Sequence, residues 1–147
     1  MKVGVLTVPL SGQPLPEALS YLRSLGVEAL EIGCGGYPGK GHCNPRELLE
    51  NKSKLKQFKE TIEEFGMPIS ALGCHGNMVN PDKDAAARYQ ADFADALLLA
   101  EELEINKVLT FSGCPGDCPT AKYPNWVTCA WPVSYTHLRA HETLSDV

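Results

Sequence analysis

Pro68-Ile69-Ser70-Ala71-Leu72-Gly73-Cys74-His75-Gly76-Asn77 is the stretch whose reading decides the fold. Its first half, 69–72, is short and apolar, which predicts a buried strand of a parallel sheet. Its second half turns to glycine, cysteine, histidine, glycine and asparagine, which predicts a loop from Gly73 onward where that strand reaches the surface. In an α/β fold this is where ligand sites sit. Loops at the carboxyl ends of parallel strands are held rigid from below while their own sequences vary.

The chain on either side repeats the same unit. Upstream, Leu55, Phe58, Ile62 and Phe65 form one apolar helical face, with Lys54, Lys56, Lys59, Glu60, Glu63 and Glu64 largely off it and Gly66 as its stop. That helical region opens at Asn44-Pro45-Arg46-Glu47, an N-cap asparagine, a proline at the first helical position and a glutamate placed to reach back. Before it, 29–32 reads as a strand and 33–43 as a glycine-rich loop. Earlier still, 3–8 reads as the first strand and 9–14 as a break. Leu15, Leu19, Leu22 and Leu25 follow as a helical face closed by Gly26.

Downstream, Asn80-Pro81-Asp82 introduces a long helix whose inner face is read as Tyr89, Phe93, Ala96, Leu97, Ala100 and Leu103. Residues 108–111 then make a fourth strand, and its exit, 112–131, is rich in Gly, Pro and Cys. Strands separated by crossover helices imply a parallel sheet with right-handed connections. The loops are longer after strands than after helices. That favours about four βα units of a (β/α)8 TIM barrel, although an open doubly wound sheet shows the same pattern.

Composition bounds the function. A chain of 147 residues, 44% hydrophobic and 21% charged, has the mass for one core and one ordinary domain. A net charge of −5 argues against binding nucleic acid, and the one lysine cluster, 52–59, runs directly into Glu60, Glu63 and Glu64. The amino terminus has neither a long apolar region nor a small-residue cleavage site, and no stretch approaches a membrane span. The expected location is cytoplasmic, with the six cysteines reduced.

Several motifs in order carry a resemblance. Glu28-Ala29-Leu30-Glu31-Ile32-Gly33, then 69–77, then Phe111-Ser112-Gly113 and the loop Ala121-Lys122-Tyr123-Pro124-Asn125-Trp126-Val127 resemble the first half of the sugar phosphate isomerase/epimerase family, which has the xylose isomerase-like TIM barrel. The similarity covers 1–132. It implies isomerisation or epimerisation of a sugar, sugar phosphate or polyol-like substrate, with a carboxylate moving the proton next to a carbonyl through an enediolate. It also implies a divalent metal (Mn, Mg, Co or Zn) that polarises the substrate oxygens. The family's principal metal ligands, two Glu, an Asp and a His, lie on later strands, where the catalytic residues are expected as well, and a complete barrel needs about 250 residues. The expectation is therefore an amino-terminal half that is inactive alone, with open barrel edges through which copies would self-associate. Residues 133–143 resemble a translated sequencing-adaptor peptide, so 133–147 is read as a non-native or disordered tail. His137, His141 and Glu142, which would otherwise suggest a zinc half-site, are read the same way.

The candidate site residues are Glu31, His75, Asn77 and Trp126, as substrate contacts. His75 is also the metal candidate, because in the endonuclease IV branch of the fold a histidine at this place binds zinc. That branch expects another histidine at the fourth strand's exit, where Phe111-Ser112-Gly113-Cys114 offers none. Each residue has a plainer alternative. For His75 it is a loop histidine bonded to backbone, for Glu31 a carboxylate paired to a lysine, for Asn77 a turn or cap residue, and for Trp126 and Trp131 loop packing. Cys114, Cys118, Cys129, Cys34, Cys43 and Cys74 lack paired metal spacing and are read mostly as loop thiols. The glycines of 33–41 are not followed by the Lys-Ser/Thr pair of a phosphate loop.

Overall fold

The computed structural model describes residues 1–125. Trp126, Cys129, Trp131 and the tail with His137, His141 and Glu142 lie outside the described residues. The elements are β1 (Gly4–Leu6), a single 3-10 turn (Val8–Leu10), α1 (Leu15–Ser24), β2 (Ala29–Gly36), α2 (Pro45–Glu50), α3 (Lys52–Phe65), β3 (Ile69–His75), α4 (Lys83–Glu102) and β4 (Val108–Leu109).

The strands pair in the order β1-β2-β3-β4, every pair parallel. This order separates the two windings that periodicity leaves open. A doubly wound sheet reverses direction partway, whereas here every connection steps the same way. Right-handed crossovers then place all the helices on one face of the sheet. Leu19 and Leu22 of α1, Leu48 of α2, Leu55 and Phe58 of α3 and Ala96 and Leu99 of α4 share one apolar core with Leu30, Ile32 and Leu72 of the sheet. The protein is α/β and singly wound, four units of a partial barrel. Among the described residues β1 and β4 each have one strand neighbour.

Three readings of the sequence are corrected. First, β2 and β3 run on through stretches that read as loops, to Gly36 and His75. Their glycines serve as clearance rather than as turns. A Cβ on Gly33 would lie 2.7 Å from Val8 Cγ2 and 2.8 Å from Pro38 Cβ, closer than real side chains pack. Second, the helical region after Asn44 is two helices. Asn44 makes no side-chain cap bond, whereas Asn51 Oδ1 accepts from the Ser53 and Lys54 amides at 3.1 Å each and starts α3. Glu47, expected to reach back to the cap, pairs instead with Lys54. Third, Leu25 and Leu97 are exposed, and α4 buries Ala85, Ala86 and Leu99 besides the expected Ala96 and Ala100. The expected stops hold: Gly26 and Gly66 adopt φ of 78° and 65°, the left-handed conformation that ends a helix.

Candidate active site

Register decides which side chains meet. Leu6 pairs with Glu31 and Glu31 with Ala71, while Gly33 pairs with Gly73 and Gly73 with Leu109. Partners in neighbouring strands project to the same side, and residues two apart along a strand share it. Leu6, Glu31, Ala71, Gly73, His75 and Leu109 therefore face away from the helices, on the inner side of the incipient barrel. Leu30, Ile32 and Leu72 face the core and are fully buried.

On the inner side the Glu31 carboxylate stands 3.9 Å (Oε1) from His75 Nε2, with the two side chains 24% and 23% exposed. The separation is an electrostatic contact, longer than a hydrogen bond. Gly73 lies between them in sequence and makes room: a Cβ there would sit 2.9 Å from Glu31 Oε1. Phe111, just past β4, stacks on the imidazole with ring centroids 4.9 Å apart and planes 13° from parallel. Tyr37 packs beyond it, 6.1 Å from the Phe111 ring and 5.5 Å from that of Tyr89.

The backbone beneath these rings is tied down. The Tyr37 amide donates to the His75 carbonyl at 2.7 Å, and the Gly36 amide donates to Asp92 Oδ2 at 3.0 Å. Asp92 Oδ1 also meets Lys40 Nζ at 2.6 Å. Gly36 has φ of 65°, and a Cβ on it would run into the His75 carbonyl oxygen, so only glycine suits the position.

Asn77 plays a different part from Glu31 and His75. It is fully buried, and its amide clasps one residue of the loop after β4, with Nδ2 donating to the Cys114 carbonyl at 2.8 Å and Oδ1 accepting from the Cys114 amide at 2.9 Å. These bonds reach 37 residues along the chain, so the Asn77 side chain ties two strand exits together and serves neither as a turn nor as a helix cap. Among the described residues the charged partner of Glu31 is His75 and no lysine pairs with it.

Cys34 and Cys74 belong to strands and are buried on the helix side, as is Cys43; Cys118 is exposed. The hydrogen bond from Cys34 to Cys74, then burial, push the Cys34 thiol far above its usual range. Burial pushes Cys43 up to about 12. Neither is a nucleophile near neutral pH.

The described residues do not fit a complete metal centre. Glu31 and His75 bring two donors together, and no group of three or more His, Cys, Asp or Glu side chains able to hold an ion occurs among the described residues. At the β4 exit, where a second ligand histidine would stand, the residue against His75 is Phe111. A groove of about 730 Å³ between α2 and α4 is lined by Lys40, Arg46, Arg88, Asp92 and Asp95. It lies on the helix side, and two of its cations are already paired, Lys40 to Asp92 and Arg46 to Asp95.

No family model matches the chain. It does have a relative in Bacillus subtilis (strain 168), the uncharacterized protein YfiH, 34% identical over 135 residues. The match takes in 90% of this chain and 42% of YfiH. The chain thus spans less than half of that curated relative. Among the described residues no helix is long and apolar enough to cross a membrane.

Sequence reading missed Phe111, Tyr37, Gly73 and Asp92 as parts of this site. Phe111 had a usable signal, since it lies two residues beyond the inward-facing Leu109. Asp92 had none, because its partners are a backbone amide and a lysine 56 and 52 positions earlier.

Proposed function

We propose that this chain supplies four strand-helix units of an isomerase or epimerase that moves a proton next to the carbonyl of a sugar or polyol-like substrate. The observation that carries the reading is the carboxylate-imidazole pair of Glu31 and His75, on the side of the sheet that none of the described helices covers. A C–H bond next to a carbonyl breaks when a base takes the proton. The bonding electrons move into the carbon-carbon bond, and the carbonyl pair moves onto oxygen, leaving an enediolate. Return of the proton to the other face of the same carbon gives the epimer, and return to the former carbonyl carbon, with a proton shift between the oxygens, gives the isomer. An imidazole and a carboxylate in contact suit this work, since one carries the proton while the other compensates the charge.

The acidic balance of the chain supports a small neutral substrate over a polyanion. The divalent cation implied by the family resemblance belongs, in this reading, to ligands outside the described residues. The 147 residues alone are expected not to turn over, because four parallel strands do not close a barrel and the resemblance puts the metal ligands on later strands.

The test uses the protein extended to the span of YfiH by reading the source gene past Pro132. It is incubated in deuterium oxide with Mn²⁺, Mg²⁺, Co²⁺ or Zn²⁺ and a panel of ketoses and aldoses, and followed by proton NMR. The signal of the carbon-bound proton next to the carbonyl is expected to disappear, and His75→Ala to slow the exchange about 100-fold or more. No exchange from any sugar under any of these ions would sink the reading.

A further inference from the structure

The described structure gives His75 an immediate neighbour with no proton to give or take. Phe111 lies flat on the imidazole at 4.9 Å and 13°, yet 43% of the phenylalanine remains exposed. A large apolar side chain so exposed gains little from burial there, so its contribution to stability is small. Its effect on the imidazole is larger. A histidine ring on a strand end can turn about its terminal torsion, which has broad minima. A second ring stacked on it restricts that rotation and leaves the edge of the imidazole, where both nitrogens lie, as the working surface.

Resting on the proton-transfer reading above, we propose that Phe111 is a positioning residue that fixes the imidazole plane, so that Nε2 faces Glu31 and the carboxylate-imidazole pair keeps one geometry. Glu31 Oε1 is 3.9 Å from Nε2, and a carboxylate beside one ring nitrogen favours the proton there. No described residue hydrogen-bonds Nδ1. The neutral ring therefore carries its proton on Nε2 and a lone pair on Nδ1. Tyr37 is the second layer: its ring packs against Phe111 and its amide is bonded to the His75 carbonyl, which couples the platform to the strand that carries the histidine.

The first arm of the test needs no substrate. Long-range proton-nitrogen correlation spectra of the histidine side chains, assigned with His75→Asn, are expected to show His75 protonated on Nε2 with its ring protons moved upfield by the Phe111 ring current. Phe111→Leu is expected to abolish the upfield shift and mix the tautomers, and Phe111→Tyr to restore both. A melting curve within a few degrees of the parent chain shows that Phe111→Leu is folded. An Nδ1-protonated ring, or a ring unaffected by Phe111→Leu, overturns the proposal. The second arm measures kinetics on the lengthened protein. Phe111→Leu is expected to lower kcat about tenfold with KM within about twofold, and Phe111→Tyr to recover it. A rise in KM alone would make Phe111 a substrate platform and overturn the positioning role. A displaced ring with unchanged kcat overturns it too, and then the fault lies in the role given to His75.

Discussion

The two faces of one sheet follow opposite rules. Toward the helices, Leu30, Ile32, Cys34, Leu72 and Cys74 are almost wholly shut from solvent. Toward the inside, strands β2 and β3 carry Glu31, Gly73 and His75, and the exit of β4 carries a half-exposed Phe111. Neighbouring residues thus answer to different demands. Leu72 is held by packing, while Gly73 beside it is held by the space that Glu31 needs. Removing apolar contacts is costly only on the first face, and removing charge matters for chemistry only on the second.

Substitutions at single positions sharpen this contrast. The largest effect is expected at Leu72→Ala, a fully buried side chain in the shared core, which should lose about 3 kcal/mol in urea unfolding. A loss under about 1 kcal/mol would break the comparison. Asn77→Ala, at the rim between the faces, should lose about 2 kcal/mol, since it strands the amide and carbonyl of Cys114. Hydrogen exchange should locate the loss at the Cys114 amide.

Next comes pH. Burial raises the Cys43 thiol from 9.0 to about 12, so above pH 9 the unfolded chain gives up a proton that the folded chain keeps. The folded state then binds more protons, and stability falls as pH rises. The contribution is fully present below pH 9 and is lost between 9 and about 12, at about 1.4 kcal/mol per pH unit. Urea midpoints at pH 8 and 10 should show the fall, and Cys43→Ala should reduce it. Some fall should persist, because Cys34 is raised as well. The smallest change is expected on the inner face. Glu31→Gln should alter stability by no more than about 0.5 kcal/mol while slowing exchange in the lengthened protein.

The helix-facing side was legible in the sequence because periodicity is a signal of burial. Leu19, Leu22, Leu55 and Phe58 fall where their spacing puts them. The face of α4 was legible at Ala96 and Ala100, but Leu97 lies outside, and Leu99 and the small Ala85 and Ala86 are buried where no inner position was expected. Close approach of a helix to a sheet favours small residues, and hydrophobicity alone does not report it. On the inner side Glu31 and His75 were found by type and position at strand ends. Their contact was not, because it depends on which strands neighbour each other and in what register. The ends of β2 and β3 were misplaced for one reason. Glycine marks a turn in a sequence pattern, whereas Gly33 and Gly73 mark places where another group occupies the volume of a Cβ.

Gly73 also ties two positions together across the strands. A methyl group there would contend with Oε1 of Glu31 at 2.9 Å, so the length of the acid at one position and the absence of a side chain at the other form a single steric choice. Gly73→Ala alone should damage the pair, while Gly73→Ala with Glu31→Asp should be better tolerated, because the shorter acid withdraws from the space the methyl fills. Related sequences would then drift at these positions only in step, and a chain bearing alanine at one with aspartate at the other would have retuned the reach of its carboxylate toward His75.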